Sequence, residues 1–197
     1  MIQTAFLLFS LSSTLNTTSQ PPESSLAPRV VASARYYLSH RPPGPDQCTN
    51  YVKHVFLRVG VELGGSGSDL WEKAAEIGVA HHGDARVGDI AFFHNTFDRN
   101  GNGRVDDPFT HVGVVIGVAG DGTVTVAHGG ATHGTGTFRM NPENPEARTG
   151  PEGQRWNDYL RVQRQSDPAG TRYLASELLA GYATVRLEDR GAWDPGS

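Results

Sequence analysis

The stretch THVGVVIGVAGDGTVTVAH, residues 110–128, decides the fold of this chain. Two runs rich in β-branched residues lie on either side of the dipeptide Asp121-Gly122. Asp-Gly between alternating apolar runs is a strong signal for a β-hairpin. The stretch therefore predicts two adjacent antiparallel strands, with His111 in the first strand and His128 at the end of the second.

Further strand signals lie on both sides of this hairpin. Gly88-Asp89 precedes the apolar run Ile90-Ala91-Phe92-Phe93, and weaker strand patterns cover residues 137–140 and 183–187. Residues 141–154 are rich in Pro, Gly and charged side chains, which is typical of a surface loop. The second half of the chain is therefore predicted to form an antiparallel sheet.

The first half of the chain has helical patterns instead. Apolar residues recur at helical spacing over residues 28–38 and 48–59. A third helix is predicted over residues 68–78, with Ser68 or Asp69 as its N-cap. Helices followed by strands predict an α+β domain in which N-terminal helices pack on an antiparallel β-sheet.

Composition excludes several classes of function. The chain has 197 residues, of which 19% are charged and 37% hydrophobic, values typical of one globular domain. Its formal net charge is -4 and it has no Lys/Arg cluster, whereas nucleic-acid binding requires a basic surface. We therefore expect neither a nucleic-acid partner nor an anionic membrane surface. Nothing in the sequence indicates an oligomer, so a monomer is the default.

The single cysteine of the chain, Cys48, lies at the start of the second predicted helix. Unpaired N–H groups and the helix dipole at this end stabilise a thiolate, which predicts a lowered pKa for the thiol. One thiol with two histidines far along the chain is typical of a nucleophile pair. In this interpretation His111 takes the thiol proton and His128 orients His111. The oxyanion would be bound by the Cys48 N–H and by Gln47.

Two other interpretations of these residues stay open at this stage. Cysteine is often buried, so Cys48 is alternatively a core residue and the histidines are ordinary strand residues. The same three side chains could also supply zinc ligands, with one more from His81, His82, His94 or His133. No short ligand pair such as Cys-x-x-Cys supports zinc, so nucleophilic catalysis is the preferred interpretation.

Three motifs resemble those of known cell-wall hydrolases. QCTNYV, residues 47–52, resembles the cysteine motif of CHAP domains. VGDIAFF, residues 87–93, and HVGVVIG, residues 111–117, are similar to motifs of the NlpC kind. The motifs stand in the family order within roughly residues 28–130. The resemblance implies a papain-like fold and a bacterial cysteine peptidase or amidase.

The resemblance also implies a substrate and a set of roles. The substrate is peptidoglycan, cleaved at a stem-peptide bond or at the sugar-to-alanine amide. The roles are those of a Cys-His-His triad, with Cys48 as nucleophile, His111 as base and His128 as third member, and the chemistry requires no cofactor. Two alternatives are a non-catalytic, calcium-stabilised binding module of the same fold and an antibacterial effector amidase.

The N-terminal residues complete the expected organisation. An apolar run followed by a polar stretch resembles a secretory signal and is too short to span a membrane. The prediction is a signal peptide and polar leader over residues 1–25, a single catalytic domain over 26–190 and a mobile tail over 191–197. The predicted location is secreted or periplasmic, in the bacterial envelope.

DRNGNGRVDD, residues 98–107, matches the first ten positions of a calcium-binding loop. Position 12 is Phe109 rather than the usual Glu, so Asp107 or another residue would have to replace the bidentate ligand. The alternative is an ordinary turn with no ion. The loop ends shortly before His111, so it is expected to wall the active site. The predicted calcium ligands are Asp98, Asn100, Asn102, Arg104, Asp106 and Asp107.

Overall fold

The computed structural model describes residues 26–45, 47–131 and 134–193. It contains the three predicted helices, α1 (Leu26–Ser39), α2 (Cys48–Leu57) and α3 (Gly67–Glu76). The strands are β1 (Ala80–His81), β2 (Ile90–Phe93), β3 (His111–Val118), β4 (Val124–Ala131), β5 (Gly134–Met140) and β6 (Leu179–Ala183). Short 3-10 helices, Ser176–Leu178 and Leu187–Trp193, flank β6. The predicted signal peptide and leader lie outside the described residues.

The six strands form one antiparallel sheet in the order β1-β6-β2-β3-β4-β5. The predicted hairpin is β3 and β4, in which Val114 pairs with Ala127 and Val115 with Val126. The predicted α+β class, with N-terminal helices on an antiparallel sheet, is confirmed. One detail differs, because β4 continues to Ala131 and His128 therefore lies inside the strand rather than at its end.

Alternate residues of the central strands face two separate hydrophobic clusters. In β3, Val114 packs with the buried faces of the helices, whereas Val115 belongs to a second cluster. The second cluster is completed by residues that follow β5, namely Leu160, Ala175 and Leu178. The sheet is thus covered by helices on one face and by the segment between β5 and β6 on the other.

Hydrogen bonds between buried groups hold α1 against α2. The Tyr51 hydroxyl donates to the Ala34 carbonyl at 2.7 Å, and the Ser33 hydroxyl donates to the Val55 carbonyl at 2.8 Å. A buried polar group that loses its partner costs about 1–3 kcal/mol. Rotation of α2 about its axis would break both bonds, so they help to fix the direction in which Cys48, its first residue, points.

The buried carboxylate of Asp89 connects the start of β2 to its neighbours. One of its oxygens accepts a hydrogen bond from the Thr184 hydroxyl at 2.7 Å, and the other accepts from the Arg86 N–H at 2.8 Å. The second oxygen also lies 3.3 Å from His81 Nε2. Asp89 in the Gly-Asp motif therefore has a structural role at this edge of the sheet.

The cap of α3 differs from its prediction. Ser66 is the N-cap, and Asp69 occupies the N3 position of a capping box rather than the cap itself. The Ser66 N–H donates to Asp69 Oδ2 at 2.7 Å, and the Asp69 N–H donates back to the Ser66 hydroxyl. The reciprocal pair satisfies donors that the first turn of a helix leaves open.

The C-terminal predictions were partly wrong. The last strand is Leu179–Ala183 and not residues 183–187, because pairing with β1 and β2 selects the earlier segment over the one with the stronger β-branched pattern. Of the tail predicted to be mobile, residues 191–193 belong to the last 3-10 helix, and residues 194–197 lie outside the described residues. Trp193 is 2% exposed and packs in the cluster on the helix side of the sheet. None of the helices in the described ranges is long and apolar enough to cross a bilayer.

The backbone of β4 lies directly against the first turn of α2. A Cβ atom added at Gly129 would be 2.6 Å from Tyr51 Cβ and 3.0 Å from the Gln47 carbonyl oxygen. Only glycine permits so close an approach. Gly129 therefore sets the spacing between the helix that begins at Cys48 and the strand that carries His128.

We expect Gly129→Ala to lower the free energy of unfolding by about 1–3 kcal/mol, because an added methyl group forces the strand and helix apart. Urea unfolding followed by circular dichroism measures the change. The matched control is Gly120→Ala, whose Cβ would meet nothing within 4 Å. Equal losses in the two variants would contradict the close approach at Gly129.

Candidate active site

The starts of α2 and β3 meet the middle of β4 at an open cleft of about 810 Å³. Cys48, His111 and His128 all line this cleft, and Gln47 lies at its exposed edge beside Cys48. Each of the three reactive side chains is half-buried. The structure thus brings together the four residues that the sequence predicted for the catalytic site, although they are far apart in the chain.

The two cleft histidines face each other across the β3–β4 pair. His111 Nε2 and His128 Nδ1 are 2.9 Å apart, and their ring planes meet at 75°. The rings of Phe138 and His128 make a T-shaped contact, with centroids 5.0 Å apart. One of the two facing nitrogens must carry a proton and the other a lone pair. This contact occupies Nε2 of His111. Nδ1 of His111 is therefore the nitrogen that can form a hydrogen bond with another group in the cleft.

Both imidazoles are neutral at ordinary pH. Desolvation, with a smaller contribution from the charge on His128, lowers the pKa of His111 to about 3. Desolvation also lowers the pKa of His128 to about 4. Burial disfavours the charged form of a base, and a neighbouring imidazolium disfavours it further. A neutral imidazole can accept a proton, which is the state that a general base requires.

The pKa of the Cys48 thiol is raised and not lowered, so this part of the prediction was wrong. Desolvation by burial is the largest influence and raises the pKa. Backbone N–H groups of Val112, Thr49 and Cys48 itself lower the pKa, but by less. The expected stabilisation by the helix start is therefore present and is outweighed. The contact with Val112 also locates the thiol beside the β3 backbone, one residue beyond His111.

The walls of the cleft come from the predicted calcium loop with its preceding residue, and from a segment after β5 that the sequence did not assign to the site. Phe97 and Arg99 belong to the β2–β3 connection, whereas Tyr159, Leu160 and Val162 follow β5. Exposed fractions of 46% for Phe97, 58% for Tyr159 and 73% for Val162 are high for large apolar side chains. The apolar cluster 159–162, within an otherwise polar segment, was the available sequence signal. These side chains form an apolar surface that a bound substrate would cover.

The other histidines considered as zinc ligands are engaged elsewhere or lie outside the described residues. His81 is paired with Asp89, and His94 Nδ1 accepts a hydrogen bond from the Phe109 N–H at 3.0 Å. His133 is not among the described residues. Within the described ranges, no group of three or more His, Cys, Asp or Glu side chains is arranged to hold a metal ion. Nε2 of His111 and Nδ1 of His128 are likewise hydrogen-bonded to each other rather than available to a metal ion.

The loop predicted to bind calcium connects β2 to β3 and borders the cleft through Phe97 and Arg99. The carboxylate of Asp98 accepts hydrogen bonds from the N–H groups of Gly101 and Gly103, at 2.7 and 2.9 Å. The six predicted ligands all lie in this loop. Its Arg99 lines the cleft, which confirms the expectation that the loop walls the candidate active site.

Comparison with known proteins matches the CHAP domain family to residues 39–130, which confirms the resemblance predicted from the sequence. A Staphylococcus aureus protein described as similar to lipoprotein, of the NLP/P60 family, has 15% identity and a TM-score of 0.45, over 87% of this chain and 45% of its own. An N-acetylmuramoyl-L-alanine amidase from Staphylococcus aureus has 20% identity and a TM-score of 0.34, over 49% of this chain and 27% of its own. The chain thus spans less than half the length of either protein. No curated protein matches it.

We expect the free energy of unfolding to fall as the pH is lowered from about 7 toward 5. Histidines in the unfolded chain take up protons near pH 6.5, whereas His111 and His128 stay neutral down to about 3 and 4. The unfolded state therefore binds more protons in this range. The stability that depends on the neutral pair is complete above pH 6.5 and is lost as the pH falls.

Urea unfolding at a series of pH values measures this loss. The double variant His111→Gln/His128→Gln should lose less stability than the unmodified protein between pH 7 and pH 5. The exposed His40→Gln serves as the matched control and should follow the unmodified protein. A pH dependence that is identical in all three proteins would contradict the lowered histidine pKa values.

Proposed function

We propose that this protein, whose residues 39–130 match the CHAP domain family, is a hydrolase that cleaves an amide bond of peptidoglycan with Cys48 as its nucleophile. One observation carries the proposal. Cys48 opens into the same cleft as a pair of hydrogen-bonded neutral histidines, and their contact leaves Nδ1 of His111 available to take the thiol proton.

The first step depends on the tautomer of His111. Nδ1 of His111 can accept the thiol proton only if the proton of the neutral ring is on Nε2. The Nε2–H group then donates a hydrogen bond to Nδ1 of His128. The thiol begins protonated, because burial raises its pKa. Cys48 Sγ therefore attacks the carbonyl carbon as its proton passes to His111, with the imidazole acting as a general base rather than in a preformed ion pair.

The remaining steps use the same groups. The developing oxyanion accepts hydrogen bonds from the backbone N–H of Cys48, at the open start of α2, and from the side-chain amide of Gln47. Protonated His111 then delivers its proton to the leaving nitrogen, and the amide C–N bond breaks to give a thioester on Cys48. A water molecule that gives its proton to His111 hydrolyses the thioester and regenerates the thiol.

His128 acts through His111 and is therefore a positioning residue. It accepts the Nε2 proton of His111, fixes the tautomer and stabilises the imidazolium that forms during attack. The T-shaped contact with the Phe138 ring supports His128 in this orientation. No cofactor takes part in the proposed steps.

The shape of the cleft suits an extended peptide. Exposed apolar side chains from two segments face it, and Arg99 adds a positive charge on one wall. Stem peptides of peptidoglycan carry both small apolar side chains and free carboxylates, which these walls would complement. A peptidoglycan substrate also implies export to the bacterial envelope, in keeping with the signal peptide expected from residues 1–25.

We expect Cys48→Ala to abolish release of products from peptidoglycan. Digestion of purified cell walls, followed by mass spectrometry of the muropeptides, measures the activity and identifies the bond cleaved. Free amino groups released within the stem peptide would indicate an endopeptidase, and intact stem peptides freed from the sugar would indicate an amidase. Failure of the unmodified protein to release products from any wall type would contradict the proposal and favour a non-catalytic binding module.

Two substitutions at His128 test its positioning role. The Oδ1 atom of His128→Asn can take the place of Nδ1 as acceptor, whereas His128→Leu removes the acceptor. We expect kcat to fall by roughly 10²–10⁴-fold in His128→Leu, with KM little changed, and to be largely retained in His128→Asn. Equal kcat values for both variants would show that no acceptor is needed at this position.

A further inference from the structure

We propose that the loop between β2 and β3 is a calcium site, bound through oxygen atoms of Asp98, Asn100, Asn102, Arg104, Asp106 and Asp107. All the donors are oxygens, supplied by carboxylates, by side-chain amides and by the backbone carbonyl of Arg104. Calcium prefers six to eight oxygen ligands of this kind, whereas zinc prefers nitrogen and sulfur.

A buried oxygen without a partner points to the missing ligand. Asp107 is 2% exposed, and its Oδ1 accepts a hydrogen bond from the Asn100 N–H at 3.3 Å. Its Oδ2 is buried and has no hydrogen-bond partner. Among the described residues, no ion pair involves this carboxylate. A buried, unpaired carboxylate oxygen is costly, and a cation bound in the loop would satisfy it.

The backbone of the loop already has the conformation that a calcium site of this kind needs. Gly103, at the sixth position, has φ +74, and its N–H donates to Asp98 Oδ2 at 2.9 Å. The side-chain oxygens of Asn100 and Asn102 accept hydrogen bonds from N–H groups two residues on. The first, third and fifth side chains of the loop are therefore drawn in toward its own backbone.

The carboxylate of Asp106 shows what changes on binding. It accepts hydrogen bonds from the side-chain amides of Asn100 and Asn102, at 3.1–3.2 Å. A cation would replace these donors and turn the amide oxygens toward itself. This rearrangement explains why no three acidic or histidine side chains within the described ranges already stand in metal-binding positions. The loop is a site that closes around its ion.

Asp107 takes over the ligand role that position 12 of such a loop usually has. Position 12 is Phe109, whose ring stacks on Trp71 with centroids 5.2 Å apart and whose N–H is bound by His94. Phe109 thus belongs to the packing between the loop and α3. The Asp107 N–H is bound by Asn95 Oδ1 at 2.7 Å, which anchors the buried carboxylate from outside the loop.

The loop borders the cleft, so an ion bound in the loop would affect the cleft wall. Asp98 lies between Phe97 and Arg99, both of which line the cleft wall. A cation held by Asp98 would restrict the backbone on which these two side chains stand. The site is therefore expected to order the substrate-binding wall without taking part in bond cleavage.

Calcium titration of the protein, after treatment with a chelator and desalting, tests the proposal without any assay of activity. We expect a saturable heat of binding in isothermal titration calorimetry. We also expect Tm to rise by about 5–10 °C at a calcium concentration one hundred times Kd. Absence of both effects at millimolar calcium would overturn the proposal.

The variants Asp107→Asn and Asp98→Asn should lose most of the calcium-dependent rise in Tm, whereas the exposed Asp84→Asn, outside the loop, should retain it. Without calcium, Asp107→Asn should be at least as stable as the unmodified protein, because an amide removes the buried unpaired charge. This second readout shows that the variant folds. An undiminished rise in Tm in both loop variants, or a large loss of stability in calcium-free Asp107→Asn, would overturn the assignment.

Discussion

The close packing of the start of α2 on β4 is the constraint on which the candidate site depends. Gly129 lets the strand backbone approach Tyr51 and Gln47 to within the width of one methyl group. Tyr51 in turn is tied to α1 through its hydroxyl. The strand therefore fixes the distance between α2 and the sheet, and the hydrogen bond to α1 fixes the rotation of α2 about its axis. Pairing of β4 with β3 then brings His111 and His128 to hydrogen-bond distance at the same end of the sheet.

Desolvation dominates the electrostatics of this site. A helix start favours an anion by about 0.3–1 kcal/mol, whereas burial can shift a pKa by several units. The thiol consequently stays protonated and both histidines stay neutral. A neutral thiol and a neutral imidazole cost less to bury than an ion pair. In the proposed mechanism the charges arise only when substrate is attacked, where oriented N–H groups and the second histidine would stabilise them.

The cleft combines a rigid floor with walls built from connections. The floor consists of strand and helix starts that are paired and packed, whereas Phe97, Arg99 and Tyr159 stand on segments between regular elements. Side chains on such connections are free to differ in size and charge without disturbing the sheet. In the proposed hydrolase the catalytic residues thus stand on the floor and the substrate-contacting side chains on the walls, to which the proposed cation loop belongs.

Local patterns alone predicted much of this protein. The helical spacing before residue 60 and the Asp121-Gly122 hairpin identified the α+β class, because periodicity and turn chemistry are properties of short segments. The order of cysteine and histidines predicted candidate site residues that the structure brings to one cleft. Tertiary structure decided what depends on distant partners. Pairing with β1 and β2 selected Leu179–Ala183 as the last strand, and burial of Trp193 ordered the end of the described chain. Burial also reversed the expected shift in the pKa of Cys48, since desolvation is set by surroundings that no local segment contains.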